Sequence, residues 1–442
     1  MNDSDTKSRP AAKVIPRAEH GISRKDISEN ALKVLYRLKN TGHQAFLVGG
    51  GVRDVMLGLH PKDFDIVTDA DPDEVRRLFR NSRLIGRRFR LAHVRFGRDI
   101  VEVATFRAAH DGEEHEDRTL TDSGRILRDN VYGTIDEDIW RRDFTVNALY
   151  YNIADFSVWD YTTGFEDIRS RTLRLIGDPD TRYREDPVRM LRAIRFAAKL
   201  GFEMAPETAQ PIRELGSHLH DVPAARLFEE VLKLFQSGHG YRSFELLRDF
   251  GLLRYLFPST SELLEDDPDG QTASLIEKGL RNTDRRIAED QPVTPMFLYA
   301  VLLWPAIKRL SESLEGHGAT AFEAMGEASH RVVAEQQIRT SLPKRFSIPM
   351  KEILAMQRRF LTRKGVRAQR LLEHKRFRAA YDFLLLRAET GEIEPEIADW
   401  WTEIQAQAPE DRKKSFGGGK RRRSKRGRRG RQAGQPEPDA AR

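Results

Sequence analysis

Apolar residues recur at helical spacing at Ala31, Leu32, Leu35 and Leu38, behind Ser28 and ahead of Gly42. Serine is a good N-cap and glycine a good stop, so a helix is predicted between them. Ala45–Val48 is a short apolar strand, followed by three glycines and a helix through Val52–Leu57. Phe64–Val67 reads as a second strand. Asp71, Pro72 and Glu74 form a capping-box pattern that opens a helix over Glu74–Phe79. Leu91–Phe96 and Ile100–Phe106 read as two strands joined at Gly97. Residues 1–20 read as disordered, and residues 108–125 as a polar, mobile loop. Phe144–Tyr151 is expected to be a helix that runs into strands at Tyr150–Tyr161. Beyond residue 175 no strand is expected, and Ala225–Gln236, Tyr241–Phe250 and Phe377–Thr390 have amphipathic helical spacing.

The expected architecture is an α+β head, in which a small mixed sheet carries helices, then an all-α body and a disordered basic tail. In residue numbers this is a disordered start (1–20), a head (21–175), a helical neck (176–240), a helical body (241–410) and a tail (411–442). A chain of 442 residues exceeds what one core usually organises, which fits that division.

Composition then narrows the chemistry. The absence of cysteine excludes disulfides, thiolate zinc sites and cysteine nucleophiles. No apolar run approaches the ~18 residues of a membrane span, and Met1–Pro16 lacks a signal-peptide core. A cytoplasmic protein without a membrane span is therefore expected. The net charge of +7 is uneven: residues 412–431 hold twelve Lys and Arg and no acid, and without them the chain carries −5. Such a block attracts polyanions through counterion release.

The residues with the strongest chemical signal lie between Phe46 and Pro72. Asp63 and Asp65 are two apart in a strand-like context, so their carboxylates share a face. Unpaired, they would repel and raise each other's pKa; a divalent cation resolves that repulsion. Magnesium suits such a site, because it takes one or two carboxylates together with substrate phosphates. Two ions would activate a hydroxyl and stabilise leaving pyrophosphate. Gly49, Gly50 and Gly51 precede a helix N-terminus and let backbone N–H groups approach a triphosphate, with Arg53 in the first turn to touch phosphate. Glu102 stands in the otherwise apolar strand 100–104. It either faces solvent or joins the metal site.

These residues resemble the tRNA nucleotidyltransferase/poly(A) polymerase family, a branch of the polymerase-β-like nucleotidyltransferases. Two further motifs occur in family order. Arg141-Arg142-Asp143-Phe144-Thr145-Val146-Asn147-Ala148 is similar to the family's RRDFT-N-A motif. Glu185-Asp186-Pro187-Val188-Arg189 is similar to its ED-x-x-R motif. Asp186-Pro187 reads as an N-cap and first helical residue, with Arg189, Arg192 and Arg195 three apart on one flank. The resemblance implies that Asp186 and Arg189 read the base edge of a nucleotide, in place of a template. It further implies that Arg192 and Arg195 touch phosphate or ribose and that Arg142 contacts the nucleotide. Asp143 matches a residue regarded as catalytic; it also suits an N-cap, and both roles can hold.

The resemblance implies Mg²⁺ and ATP, and two activities share it: poly(A) addition to RNA 3′ ends and CCA addition to tRNA. Leu84–Gly97 resembles a segment of the poly(A)-adding branch, and residues 80–98 carry seven arginines and no acid. Arg87, Arg88 and Arg90 are thus expected to grip RNA, as are Arg421, Arg422 and Arg423 in the tail. The body segments 221–230 and 372–381 resemble the same branch. Poly(A) addition is therefore favoured over CCA addition. A third alternative is an RNA-binding protein with an inactive head. RNA-decay proteins are expected as further partners.

Overall fold

The computed structural model of the chain describes residues 11–86, 90–108, 118–120, 126–129 and 131–416. It divides into two compact units at Lys351/Glu352.

The first unit is organised by an eight-stranded sheet. In chain order its strands are β1 (Lys13–Ile15), β2 (Ala45–Val48), β3 (Asp65–Thr68), β4 (Ser82–Ile85), β5 (Leu91–Phe96), β6 (Asp99–Thr105), β9 (Leu149–Asn152) and β10 (Val158–Asp160). Their spatial order is β1-β10-β9-β2-β3-β6-β5-β4. Every neighbouring pair is antiparallel except β3 and β6, which run parallel with Asp65 opposite Glu102. A separate antiparallel pair joins β7 (Arg118–Leu120), inside the stretch expected to be a loop, to β8 (Ile126–Asp129), just beyond it.

The two faces of the sheet differ. Register and alternation put Leu47, Ile66, Val103 and Ala92 on one face. That face meets two helices, α2 (Glu29–Asn40) and α4 (Pro72–Leu78), which bury Val34, Leu35, Leu38 and Val75. Both helices begin as the sequence predicts: Ser28 Oγ accepts from the Ala31 N–H, and Asp71 with Glu74 closes a capping box. On the opposite face Phe46, Val48, Val67 and Tyr150 pack with Phe106, Ile135, Ile139 and Tyr161. That cluster stops where Asp65 and Glu102 begin.

Several expectations are corrected. Residues 11–20 are not disordered: β1 pairs with β10, α1 (Arg17–His20) follows, and His20 Nε2 bonds the Phe156 carbonyl at 2.9 Å. Phe144–Tyr151 is no helix. A 3₁₀ turn at Thr145–Asn147 leads into β9, whose Leu149, Tyr150 and Tyr151 are buried on both faces. A strand buried on both sides has no alternation to distinguish it from a helix. A two-residue strand, β12 (Glu203–Met204), lies beyond residue 175 and pairs in parallel with β11 (Thr172–Leu173). Two residues are too few for a period to show.

The helices α3 (Gly50–Met56), α5 (Ile135–Asp138) and α6 (Gly164–Ser170) complete the mixed part. From Pro179 onward helices dominate: α7 (Pro179–Glu185), α8 (Val188–Leu200), α9 (Pro206–Leu215), α10 (Ala224–Phe235) and further helices to Lys351. The second unit is held by aromatic packing of Phe360, Phe377, Trp400, Trp401 and Phe416, and the Trp401 indole N–H donates to the Phe360 carbonyl at 2.8 Å. Among the described residues no helix is long and apolar enough to cross a membrane.

Phe46 is 2% exposed and touches Phe106, Tyr150 and Trp159. Phe46→Ala is expected to cost about 3–5 kcal/mol. The check is a lower urea midpoint for the first transition in equilibrium unfolding.

Candidate active site

The site grows from the end of β2. There the chain turns through Gly49 at φ 71° and ψ −139°, a positive φ that glycine reaches at little cost. A Cβ on Gly49 would sit 3.8 Å from Asp65 Oδ2 and 3.9 Å from an Arg142 terminal nitrogen. The glycine therefore stands between the carboxylate and the guanidinium. Gly50 opens α3, and a Cβ on Gly51 would sit 3.2 Å from the Phe64 ring. The last glycine is thus a packing position against the residue between the two aspartates.

Asp63 lies just before β3 and Asp65 begins it. The parallel register puts Glu102 beside Asp65, and the antiparallel register puts His93 beside Glu102. His93 Nε2 lies 3.0 Å from Glu102 Oε1. Burial in the sheet, then the nearby Glu102 charge, pushes the Asp65 carboxyl up to about 6. Arg142 pulls in the opposite direction and Asp63 adds to the rise. Arg142 is itself fixed: it donates to the Tyr150 hydroxyl at 2.6 Å and to Asp138 Oδ2 at 3.0 Å, and it lies over the Tyr150 ring.

Among the described residues no three carboxylate or imidazole groups converge into a complete metal cage. The donor set nevertheless fits a hard cation. Two hard oxygen donors, Asp65 and Glu102, are forced together, and Asp63 stands two residues from the first. A divalent ion here would complete its shell with substrate oxygens.

The remaining expected residues fall into two groups. Asp143 is fully engaged: Oδ1 accepts from the Phe144 N–H at 2.8 Å and from Asn147, while Oδ2 accepts from both Nε and a terminal nitrogen of Arg192. Burial opposes its charge, but Arg192 and these hydrogen bonds hold its pKa down to about 2. Arg53 is held by protein partners. It is 2% exposed, bonded to Asp54 and Asn147, and lies against Phe196. Lys199 Nζ reaches the other Asp54 oxygen at 3.2 Å. Arg192 and Lys199, seven apart, thus pin α8 to the head at two points.

Asp186 is not the N-cap that its sequence suggests. It ends α7 at φ −149°, Pro187 takes the N-cap position, and Arg226 of α10 donates to Asp186 Oδ2 at 2.7 Å. Arg189 donates to Glu185 at 2.9 Å and to the Arg182 carbonyl. Arg195 lies over Phe196, and its Nε is buried without a hydrogen-bond partner. Arg90 precedes β5 and is exposed. Arg87, Arg88, Arg421, Arg422 and Arg423 lie outside the described residues.

Sequence reasoning missed Asp138 and Tyr150, which orient Arg142, as well as His93, Arg182 and Arg226. Arg182 donates to the Arg142 carbonyl at 2.7 Å. Only His93 left a trace, since the β5 alternation places it on the face that Glu102 occupies.

Comparison with known proteins fits this geometry. A poly(A) polymerase I of Escherichia coli O6:H1 is 51% identical over 412 residues, 92% of this chain and 88% of that protein. The chain belongs to the poly(A) polymerase family. It is a nucleotidyltransferase of that kind. The family models match in three places: the poly A polymerase head domain over residues 45–174, the probable RNA and SrmB-binding site of polymerase A over 201–264, and the polymerase A arginine-rich C-terminus over 317–434. CCA-adding enzymes are more distant: one from Lactobacillus helveticus is 34% identical over 58% of this chain and 62% of its own length. The solved Bacillus stearothermophilus CCA-adding enzyme in complex with CTP has a TM-score of 0.56 at 25% identity, covering 85% of this chain and 82% of that one.

The depressed Asp143 pKa has a stability consequence. A carboxylate held below its ordinary value stabilises the fold above that value and loses the contribution as pH falls through the folded pKa. Between about pH 4 and pH 2 the protein is expected to lose about 2 kcal/mol through this group. In Asp143→Asn that segment of the curve flattens, as urea midpoints taken across the acid range will show.

Proposed function

We propose that this enzyme extends RNA 3′ ends with adenylate, without a template, using the carboxylates at the β3/β6 junction as its metal site. The observation that carries the reading is Asp65 held beside Glu102 by parallel register, with Arg142 and Gly49 on its open side. The family match supports the poly(A) product over CCA addition, because the 51% identity runs through the body as well as the head.

In this reading Asp63 and Asp65, with Glu102, hold two Mg²⁺. When bound, the ions neutralise the triphosphate and ease loss of the hydroxyl proton. Gly49 and Gly50 leave space for the triphosphate at the start of α3, and Arg142 supplies a fixed positive charge beside it. The RNA 3′-oxygen attacks the α-phosphorus of ATP. The bond to the bridging oxygen breaks, pyrophosphate leaves with its electron pair, and the hydroxyl proton passes to water.

In this reading Asp186 and Arg189 meet the base edge. Arg226 and Glu185 fix both side chains, so a rigid pair would select one base by fit. Arg192 and Arg195 serve phosphate or ribose, and the buried, partnerless Arg195 Nε is suited to an anionic oxygen. Arg53 acts through position, holding α3 to α8. The basic tail, with Arg421, Arg422 and Arg423, holds RNA through its phosphates without reading sequence.

Asp63→Ala or Asp65→Ala is expected to abolish AMP incorporation from ATP into an RNA oligonucleotide while RNA binding persists. Retained polymerisation in either variant would overturn the assignment. ATP offered alone should give long tails on arbitrary RNA; CTP offered alone should give none, and short additions confined to tRNA would favour the CCA reading. Removing residues 417–442 should weaken RNA binding and flatten its dependence on salt, with thermal unfolding little changed. Equal affinity at low and moderate salt would reduce the tail to a solubilising role.

A further inference from the structure

The sheet continues past the carboxylates, and among the described residues its last two strands carry exposed side chains on the face away from α2 and α4. Register lines up Asp65, Glu102, His93 and Arg83 across β3, β6, β5 and β4. Directly opposite residues share a face, so this row lies on the side away from α2 and α4. Arg95, two residues from His93, lies on the same side and stands opposite Ile100. Arg83 and Arg95 are exposed, and neither guanidinium meets a carboxylate among the described residues. Ile100 is 42% exposed, while Leu91 and Ile85 on this face are half-buried. The face thus joins two exposed guanidiniums to open apolar surface, directly beside the carboxylates.

We infer that this face of β4 and β5 seats the 3′-terminal nucleotides of the RNA, with Arg83 and Arg95 on their phosphates. The inference rests on the reading of Asp65 and Glu102 as the reaction centre. Two features favour RNA as the occupant. The first is charge: phosphates approaching Asp65 and Glu102 are repelled, and cations further along the same face offset that repulsion. The second is distance: two strand spacings of about 4.8 Å separate Glu102 from Arg83, within reach of the last nucleotides of a strand whose end lies at the carboxylates. Exposed Ile100 offers an apolar surface against which a base could lose water. His93, tied to Glu102 at 3.0 Å, stands between the two regions.

The test uses the full chain, a short oligoadenylate and the double variant Arg83→Gln/Arg95→Gln. The control is Arg76→Gln/Arg77→Gln on α4, which removes the same charge from the covered side of the sheet. The first variant is expected to raise the KM for oligoadenylate about tenfold, with the KM for ATP unmoved. Its salt slope should shrink by about 0.7 for each phosphate that is no longer neutralised. The control should move neither. Unchanged RNA KM and slope in the first variant would overturn the inference, and so would an equal effect of the control. If the unaltered enzyme itself fails to add adenylate to oligoadenylate, the failure belongs to the proposed function instead.

Discussion

Everything at the site depends on one unfavourable contact. The parallel pairing of β3 with β6 sets Asp65 beside Glu102, so their like charges stand on one face of the sheet. Burial and that repulsion together raise the pKa of Asp65. A fold that needed only stability would not keep such a pair at the edge of an aromatic cluster. A fold that must receive a cation together with an anionic nucleotide has a use for it, since each new charge lowers the energy of the others.

The second constraint is orientation. The helix α8 carries Arg189, Arg192 and Arg195, and it is fixed to the head by the Asp143–Arg192 contact and the Lys199–Asp54–Arg53 chain. These ties lie two helical turns apart, so they fix both the position and the rotation of α8. Arg182, on the preceding helix α7, likewise bonds the Arg141 and Arg142 carbonyls of the head. The helix α8 and the head are therefore braced against each other. Arg226 comes from α10 to hold Asp186.

Much of this was legible in the residues alone. Ser28, Asp71 and Glu74 marked helix starts through side-chain bonds to the next turn, which are local and therefore visible in sequence. The spacing of Asp63 and Asp65 indicated a shared face, and the net charge of the rest of the chain isolated the tail. The expected helix at Phe144–Tyr151 failed because β9 lies between β2 and β10 and is buried on both faces, so its apolar run lacks a period.

By itself, then, the sequence determined the chemical inventory: acidic oxygen donors beside a glycine turn, arginines at helical spacing and a strongly basic tail. The tertiary structure decided which of these residues meet. Strand register chose Glu102 as the neighbour of Asp65, and burial paired Arg53 with Asp54 and Asn147. It engaged Asp143 with Arg192, 49 residues further along the chain. Spacing reports only on residues that share a strand or a helix. Partners this far apart in the chain are chosen by packing, which no local pattern encodes.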